Sequence, residues 1–451
     1  MDVFWVGLTA TLIVGLILSQ VFRRTFDPFA PIWLFLAGYA QIYVVQAISY
    51  RDYAFRVRGE VVTTAANFRS FWALVVFFAV YHSGVAKKIA SKLPAAPSQW
   101  PTAMVVGLSP LLVFWGLVCS VLSLRLGTIG GEESILVQFP MLMLVGGVIL
   151  LVTGRNRDQP KPVLTLAGVL VCAAYSAIWM FNAKRSHALF GVLAGVCAYY
   201  LPRWKRPSMP IMAVTGLACA LSVSIAIGWR GTTRYEQSVN GFFQYLSEFN
   251  VSSILVNFNL KERDEVDPDA RELVSKETEE YGGFLLMMDT VPHKSPYDYG
   301  WSYMRIFSTF IPRVIWPDKP LYGRHEWVSA WIAGSEFPRD TYFTGPAIGV
   351  LGATQLNGGG IATAIVMSAL ALIMRTAYDY YRYYAATPWA QAWWTLTYFN
   401  SWLMTANDDP FVWFYYVYGY TTLPVMAALW IGLRALTAPA QSSAEWAPSA
   451  A

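Results

Sequence analysis

Residues 210–229 read PIMAVTGLACALSVSIAIGW, twenty positions without a charged side chain. A helix of that length covers about 30 Å, the thickness of a bilayer's hydrocarbon core. Backbone N–H and C=O groups cannot stay unpaired in lipid, so the run reads as a membrane-spanning helix. Directly after it Arg230 opens a polar and aromatic stretch that lasts to Thr344. Comparable apolar runs are expected as spans near 3–22, 31–49, 70–86, 103–122, 135–153, 162–181, 188–201, 357–374, 388–405 and 411–433. Together they make about eleven spans, broken by one large polar island.

The composition agrees. The chain has 451 residues, 55% of them hydrophobic and only 14% charged, with a mean hydropathy of +0.40. A soluble enzyme of this size is not that apolar. The expected fold is an all-α polytopic integral membrane protein with one large external loop. Residues 1–229 form an N-terminal transmembrane bundle of about eight helices, and 230–344 the loop with short helices. A re-entrant segment and about three more spans follow over 345–436, and 437–451 is an Ala/Ser/Pro-rich disordered tail. Cys119, Cys172, Cys197 and Cys219 all fall in apolar runs and read as packing residues, without disulfide or metal spacing. The first span lacks a basic start and a small-residue cleavage site, so it reads as a retained anchor. The formal charge of +5 is explained by Lys and Arg beside spans and gives no reason to expect nucleic acid.

Those basic residues also orient the chain. Arg23/Arg24, Lys87/Lys88/Lys92, Arg155/Arg157/Lys161, Arg203/Lys205/Arg206 and Arg375/Arg382 fall on alternate short loops. These loops carry about twice the Lys and Arg of the opposite set, which makes them cytoplasmic and the large loop external. Within that loop, 241–258 suits a helix lying in the membrane interface. Asp267 and Pro268 look like a helix start. The Gly-rich run 345–360, interrupted by Pro346 and Asn357, can dip into a bilayer only if protein or a water-filled cavity covers it.

Basic residues gather on the external side from separate places: Lys184, Arg185 and His187, then Arg230 and Arg234, then Arg305, Arg313, Lys319, Arg324 and His325. One reading is a solvated or lipid-headgroup-binding surface. The other is a seat for pyrophosphate, since Arg grips phosphate oxygens in a bidentate fork and its charge does not titrate away. Such a cluster neutralises a departing pyrophosphate in place of a metal ion. In 310–320 (FIPRVIWPDKP) three prolines fix the backbone on both sides of Arg313 and Lys319. That run is either a rigid anion site or a proline-rich turn with incidental charges.

Glycosyl transfer to a hydroxyl also needs a base, for which His325 and Glu248 are the candidates. Asp289, Asp298 and Asp318 lie on the same side, while Asp408 and Asp409 beside Pro410 read as turn formers. No Gly-rich phosphate loop is present. Ionisable residues are sparse in the expected spans, which argues against an ion-coupled transporter.

The stretch 297–320 (YDYGWSYMRIFSTFIPRVIWPDKP) resembles a segment of Wzy-type repeat-unit polymerases of O-antigen and exopolysaccharide, where a Gly-aromatic run leads into an Ile-Pro-Arg…Pro-x-Lys-Pro motif. Asn182-Ala183-Lys184-Arg185 beside a span is similar to a basic turn of that family. The Gly-rich run after the motif is similar too, although Gln355-Leu356-Asn357-Gly358 stands where many members carry an acidic residue. The resemblance covers about sixty residues.

It implies a helical glycosyltransferase of the GT-C-like class in the bacterial inner membrane, with the loop periplasmic and no cofactor or metal. The donor would be a polyprenyl-pyrophosphate-linked oligosaccharide, attacked by the terminal hydroxyl of a second lipid-linked repeat. On this chain it assigns Arg313, Lys319, Arg230, Arg234 and Arg185 to the pyrophosphate, with Arg305 and Arg324 nearby, and His325 or Glu248 to the proton. Membrane lipids and a chain-length regulator are the further partners it implies. An O-antigen ligase uses the same donor and is the nearest rival; a transporter of the lipid-linked unit is the rival from another class.

Overall fold

The computed structural model describes residues 2–126, 139–232, 234–236, 238–250, 254, 280–304, 306–307, 311, 315–316, 347–406 and 415–436. Every regular element among the described residues is helical. The first half runs α1 (Asp2–Phe22), α2 (Ile32–Ser49), α3 (Arg51–Arg58), α4 (Glu60–Tyr81), α5 (Val85–Ala90), α6 (Thr102–Leu126), α7 (Met141–Gly154), α8 (Pro162–Phe181), α9 (Arg185–Tyr200) and α10 (Met209–Gly231). From the polar island come α11 (Val239–Glu248) and α12 (Glu280–Thr290). The second half holds α13 (Gly349–Leu356), α14 (Gly359–Tyr383), α15 (Pro388–Tyr398), α16 (Asn400–Ala406) and α17 (Leu423–Leu436).

Seven of these helices, α1, α2, α4, α6, α8, α10 and α14, are long and apolar enough to cross a membrane. The protein is therefore an α-helical membrane protein. The other expected spans also coincide with helix, but in shorter or broken form. α7 has 14 residues and α9 has 16. Residues 388–405 divide into α15 and α16, and α17 is preceded by a π-helical stretch, Tyr415–Thr422. Helix starts follow local chemistry. Pro162 and Pro388 open α8 and α15, where a missing N–H costs nothing. The Thr387 hydroxyl caps α15 by accepting from the Ala390 N–H at 3.3 Å.

One boundary differs from expectation in a way that matters. α4 begins at Glu60, well ahead of the expected start at 70. The extra turns hold Thr63 and Asn67, and Ser70 continues their face; these residues lower the hydropathy of the run yet are buried. Asn67 Oδ1 accepts from the Tyr281 hydroxyl at 2.6 Å, and the Ser70 carbonyl accepts from Tyr39 at 2.5 Å. They sit at i, i+4 and i+7, the spacing of one helix face. The longer helix takes Arg69 into a membrane-spanning segment.

The end of the bundle away from the polar island is closed by an aromatic belt around 27–33. The Asp27 carboxylate accepts from the Phe29 N–H at 3.0 Å and from the Tyr378 hydroxyl. Tyr398 and Trp394 donate to the Pro28 and Phe29 carbonyls. An apolar crevice of about 380 Å³ lies between α2, α9 and α10, lined by Phe26, Trp33, Leu193 and Cys219 among others. The polar chemistry gathers at the opposite end, where the island joins the bundle.

Candidate functional site

The floor of the site is built by α12 and α13. α12 buries Tyr281, Phe284, Leu285 and Met287. At Gly283 a Cβ would stand 2.1 Å from the Ala347 carbonyl oxygen, so only glycine lets the two segments approach this closely. Every residue of α13 is buried, and it packs against α12, α14 and α16. Its Leu351 N–H donates to the Tyr43 hydroxyl at 3.1 Å. Tyr43 lies in a π-helical segment of α2, Gln41–Gln46, a local widening of the helix that re-aims side chains and recurs at functional sites. Protein thus covers this part of the Gly-rich run, as its backbone requires in a membrane.

Between α13 and α14 the chain breaks at Asn357, with Gly358 at φ +141° and Gly359 at φ +61°. A Cβ on Gly359 would also stand 2.9 Å from the Tyr297 hydroxyl oxygen. Asn357 then ties this break to the motif-bearing strip 297–304. Its Oδ1 accepts from the Gly300 N–H and the Ser302 hydroxyl, both at 2.9 Å, and its Nδ2 donates to the Ala353 carbonyl at 2.8 Å. The Asp298 N–H donates to the Leu356 carbonyl at 2.8 Å, and the Asp298 carboxylate accepts from the Ser302 N–H at 2.7 Å. The turn passes through Tyr299 and Gly300 at positive φ. It leaves Tyr299 80% and Trp301 58% exposed.

Arg69 reaches the same break. Its Nη1 donates to Gln355 Oε1 and to Thr363 Oγ1, each at 3.3 Å. Both acceptors are neutral and both contacts are long. Among the described residues no carboxylate pairs with it, and its one ionisable neighbour is the Tyr297 phenol. Gln355 is held in turn by donating to the Val291 carbonyl at 2.6 Å. An arginine in a span costs about 2.5–3.5 kcal/mol on insertion scales, so one with no counter-charge among the described residues is a candidate site.

Comparison with known proteins finds nothing. No family model, curated protein or solved structure matches the chain.

Of the nine residues assigned to the pyrophosphate or the proton, four are described, and all lie where the island meets the bundle. The α8–α9 turn ends in a Schellman-type cap, with Ala183 at φ +57° and the Lys184 N–H on the Trp179 carbonyl at 3.0 Å. This turn presents Arg185, whose Nη2 donates to Glu280 at 2.8 Å. Glu280 is buried and also accepts from Gln46 at 2.9 Å, while Gln46 Oε1 accepts from the Tyr281 N–H at 3.0 Å. Arg185 therefore already carries a carboxylate partner. Arg230 is exposed in the last turn of α10. The Trp229 indole beside it donates to the Phe181 carbonyl at 2.9 Å, which joins the end of α10 to the α8–α9 turn.

Arg234 and Glu248 face each other at 3.5 Å, and the Tyr235 hydroxyl donates to Glu248 at 2.6 Å. Burial and this carboxylate push the Tyr235 phenol up. Both charged groups are close to half exposed, so the pair adds little to stability. Arg305, Arg313, Lys319, Arg324 and His325 lie outside the described residues.

Sequence reasoning missed Arg69, Gln46 and Glu280. The polar stripe of Thr63, Asn67 and Ser70 is the signal that finds the first. The other two are joined across about 230 positions of chain, a pairing no local pattern reveals.

Proposed function

We propose that the protein is a repeat-unit polymerase of surface polysaccharide in the bacterial inner membrane, with about eleven spans of GT-C-like character and the island on the periplasmic side. It joins polyprenyl-pyrophosphate-linked oligosaccharides. A terminal hydroxyl of one lipid-linked repeat attacks the anomeric carbon of the other glycan. The new C–O bond forms as the bond to pyrophosphate breaks, with inversion at that carbon. The hydroxyl proton passes to a base, for which His325 and Glu248 remain the candidates, and polyprenyl pyrophosphate departs onto cationic side chains.

The observation that supports this reading best is the clamp at Asn357. Two separate parts of the family resemblance, the Gly-aromatic strip and the Gly-rich run, are hydrogen-bonded to one another. The strip leads directly into the segment that carries Arg313. A rigid mount of this kind is what positioning a charged donor demands. The exposed faces of Tyr299 and Trp301 beside it suit stacking on sugar rings as well as a place at the membrane surface.

The test is a gel of surface and lipid-linked glycans from a strain lacking the protein. The reading expects one repeat unit on the usual acceptor and no ladder. Long polymer held on polyprenyl pyrophosphate, with none on the cell-surface acceptor, assigns the protein as a ligase instead.

A further inference from the structure

Arg69 stands apart from the cations that the motif supplies. It belongs to α4, a membrane-spanning helix, and lies about 14 Å along that helix from Glu60. Among the described residues only Nη1 is engaged, by two neutral acceptors at 3.3 Å, which leaves most of its five donors without a described partner. The guanidinium also lies over the first turn of α14: a Cβ on Gly360 would be 3.7 Å from its Cζ. No side chain caps that turn, since Gly358 holds the cap position. A cation against an uncapped helix N-terminus sets positive charge beside positive partial charge. The arrangement is favourable when an anion sits between them and accepts from both. On the neighbouring outer surface Phe68, Ile361 and Ile365 are 44%, 77% and 64% exposed, so the approach between α4 and α14 is flanked by apolar side chains that face lipid.

We propose that Arg69 and the first turn of α14 seat a phosphate group borne by a lipid, entering from the plane of the membrane. The identity of that lipid rests on the function proposed above, which makes it the diphosphate of the polyprenyl-linked donor. The site then selects a membrane-anchored donor over a soluble sugar nucleotide, because the route to the cation runs through the bilayer. Arg69 holds the donor's phosphate at the glycine break while the strip 297–304, fastened to that break, positions the remainder of the loop.

The full-length protein in detergent micelles is titrated with polyprenyl diphosphate, with phosphatidylglycerol and with inorganic pyrophosphate, reading dissociation constants and melting temperature. The wild type should bind polyprenyl diphosphate most tightly. Arg69→Gln should weaken that binding at least tenfold, about 1.4 kcal/mol, while the ligand-free melting temperature stays level or rises, because a charge with no counter-charge among the described residues has been removed. Arg69→Lys, which keeps the charge and loses the fork, should fold and bind at an intermediate level.

Unchanged binding by Arg69→Gln overturns the proposal, as does a lower ligand-free melting temperature with binding intact, the mark of a purely structural tie. Equal binding of phosphatidylglycerol assigns the site to a bulk headgroup and overturns the donor assignment. Binding is read without transfer, so the two readings fail separately. A wild type that binds the diphosphate yet lengthens no glycan removes the polymerase and keeps Arg69. Chain growth alongside an Arg69→Gln variant that binds normally does the reverse.

Discussion

Asn357→Ala is the sharpest structural perturbation of the site. The side chain makes three hydrogen bonds, to the Gly300 N–H, the Ser302 hydroxyl and the Ala353 carbonyl, and it is only 6% exposed. Each is worth about 1 kcal/mol net, and more where a buried partner is left unsatisfied. Truncation should therefore cost about 3 kcal/mol. For a chain of this size that lowers the melting temperature by about 3 °C. The consequence for function is larger than for stability, because the lost bonds fasten the strip that leads to Arg313. Shortened glycan should appear at temperatures where the variant is still folded.

Thermal unfolding of purified protein and a glycan gel from the complemented strain read the two effects. A double-mutant cycle with Ser302→Ala isolates the clamp, with an expected coupling of about 1 kcal/mol. Wild-type melting by Asn357→Ala, or a coupling within about 0.3 kcal/mol of zero, would refute the clamp.

Arg313→Ala should abolish chain extension at normal protein level on an immunoblot, and Arg313→Lys should restore little, because the bidentate fork is lost. Asp289 tethers α12 by accepting from Arg58 at 3.1 Å and Lys294 at 3.0 Å. Burial raises its carboxyl, but the two cations together hold it below the ordinary carboxylate value. A depressed group contributes stability above its unfolded value, near pH 4, and loses that contribution as pH falls through the folded one. Asp289→Asn should thus be less stable than wild type at neutral pH, with the gap closing in melting curves taken below about pH 4. Gly283→Ala should cost about 1–3 kcal/mol by thermal unfolding, since the new methyl meets backbone at Ala347 rather than a side chain that can yield.

The membrane-spanning character was legible from apolar length alone, because lipid leaves the backbone no alternative to helix. Where the reading slipped, tertiary contacts override hydropathy. α4 extends through Thr63 and Asn67 because the Thr63 hydroxyl donates to the Gly59 carbonyl one turn back and Asn67 accepts from Tyr281. Residues 388–405 break near Phe399, a residue fully buried against Phe190 rather than a recognisable breaker. At the site, Asn357 and the strip 297–304 stood out for their glycines and aromatics. That they bond to each other across more than fifty residues is a property of the fold. Arg69 was hidden by a misplaced helix start, and Glu280 by lying in a charged stretch that gave no hint of its burial beside Arg185 and Gln46.

The most direct test is reconstitution. Purified full-length protein in liposomes is given lipid-linked glycan extracted from the strain that lacks it, with EDTA present and no lipid A core added. The account predicts a ladder of lengthening glycan and one polyprenyl pyrophosphate released for each new linkage. Lipid-linked glycan that stays at a single repeat, and is transferred only when core acceptor is supplied, would contradict it.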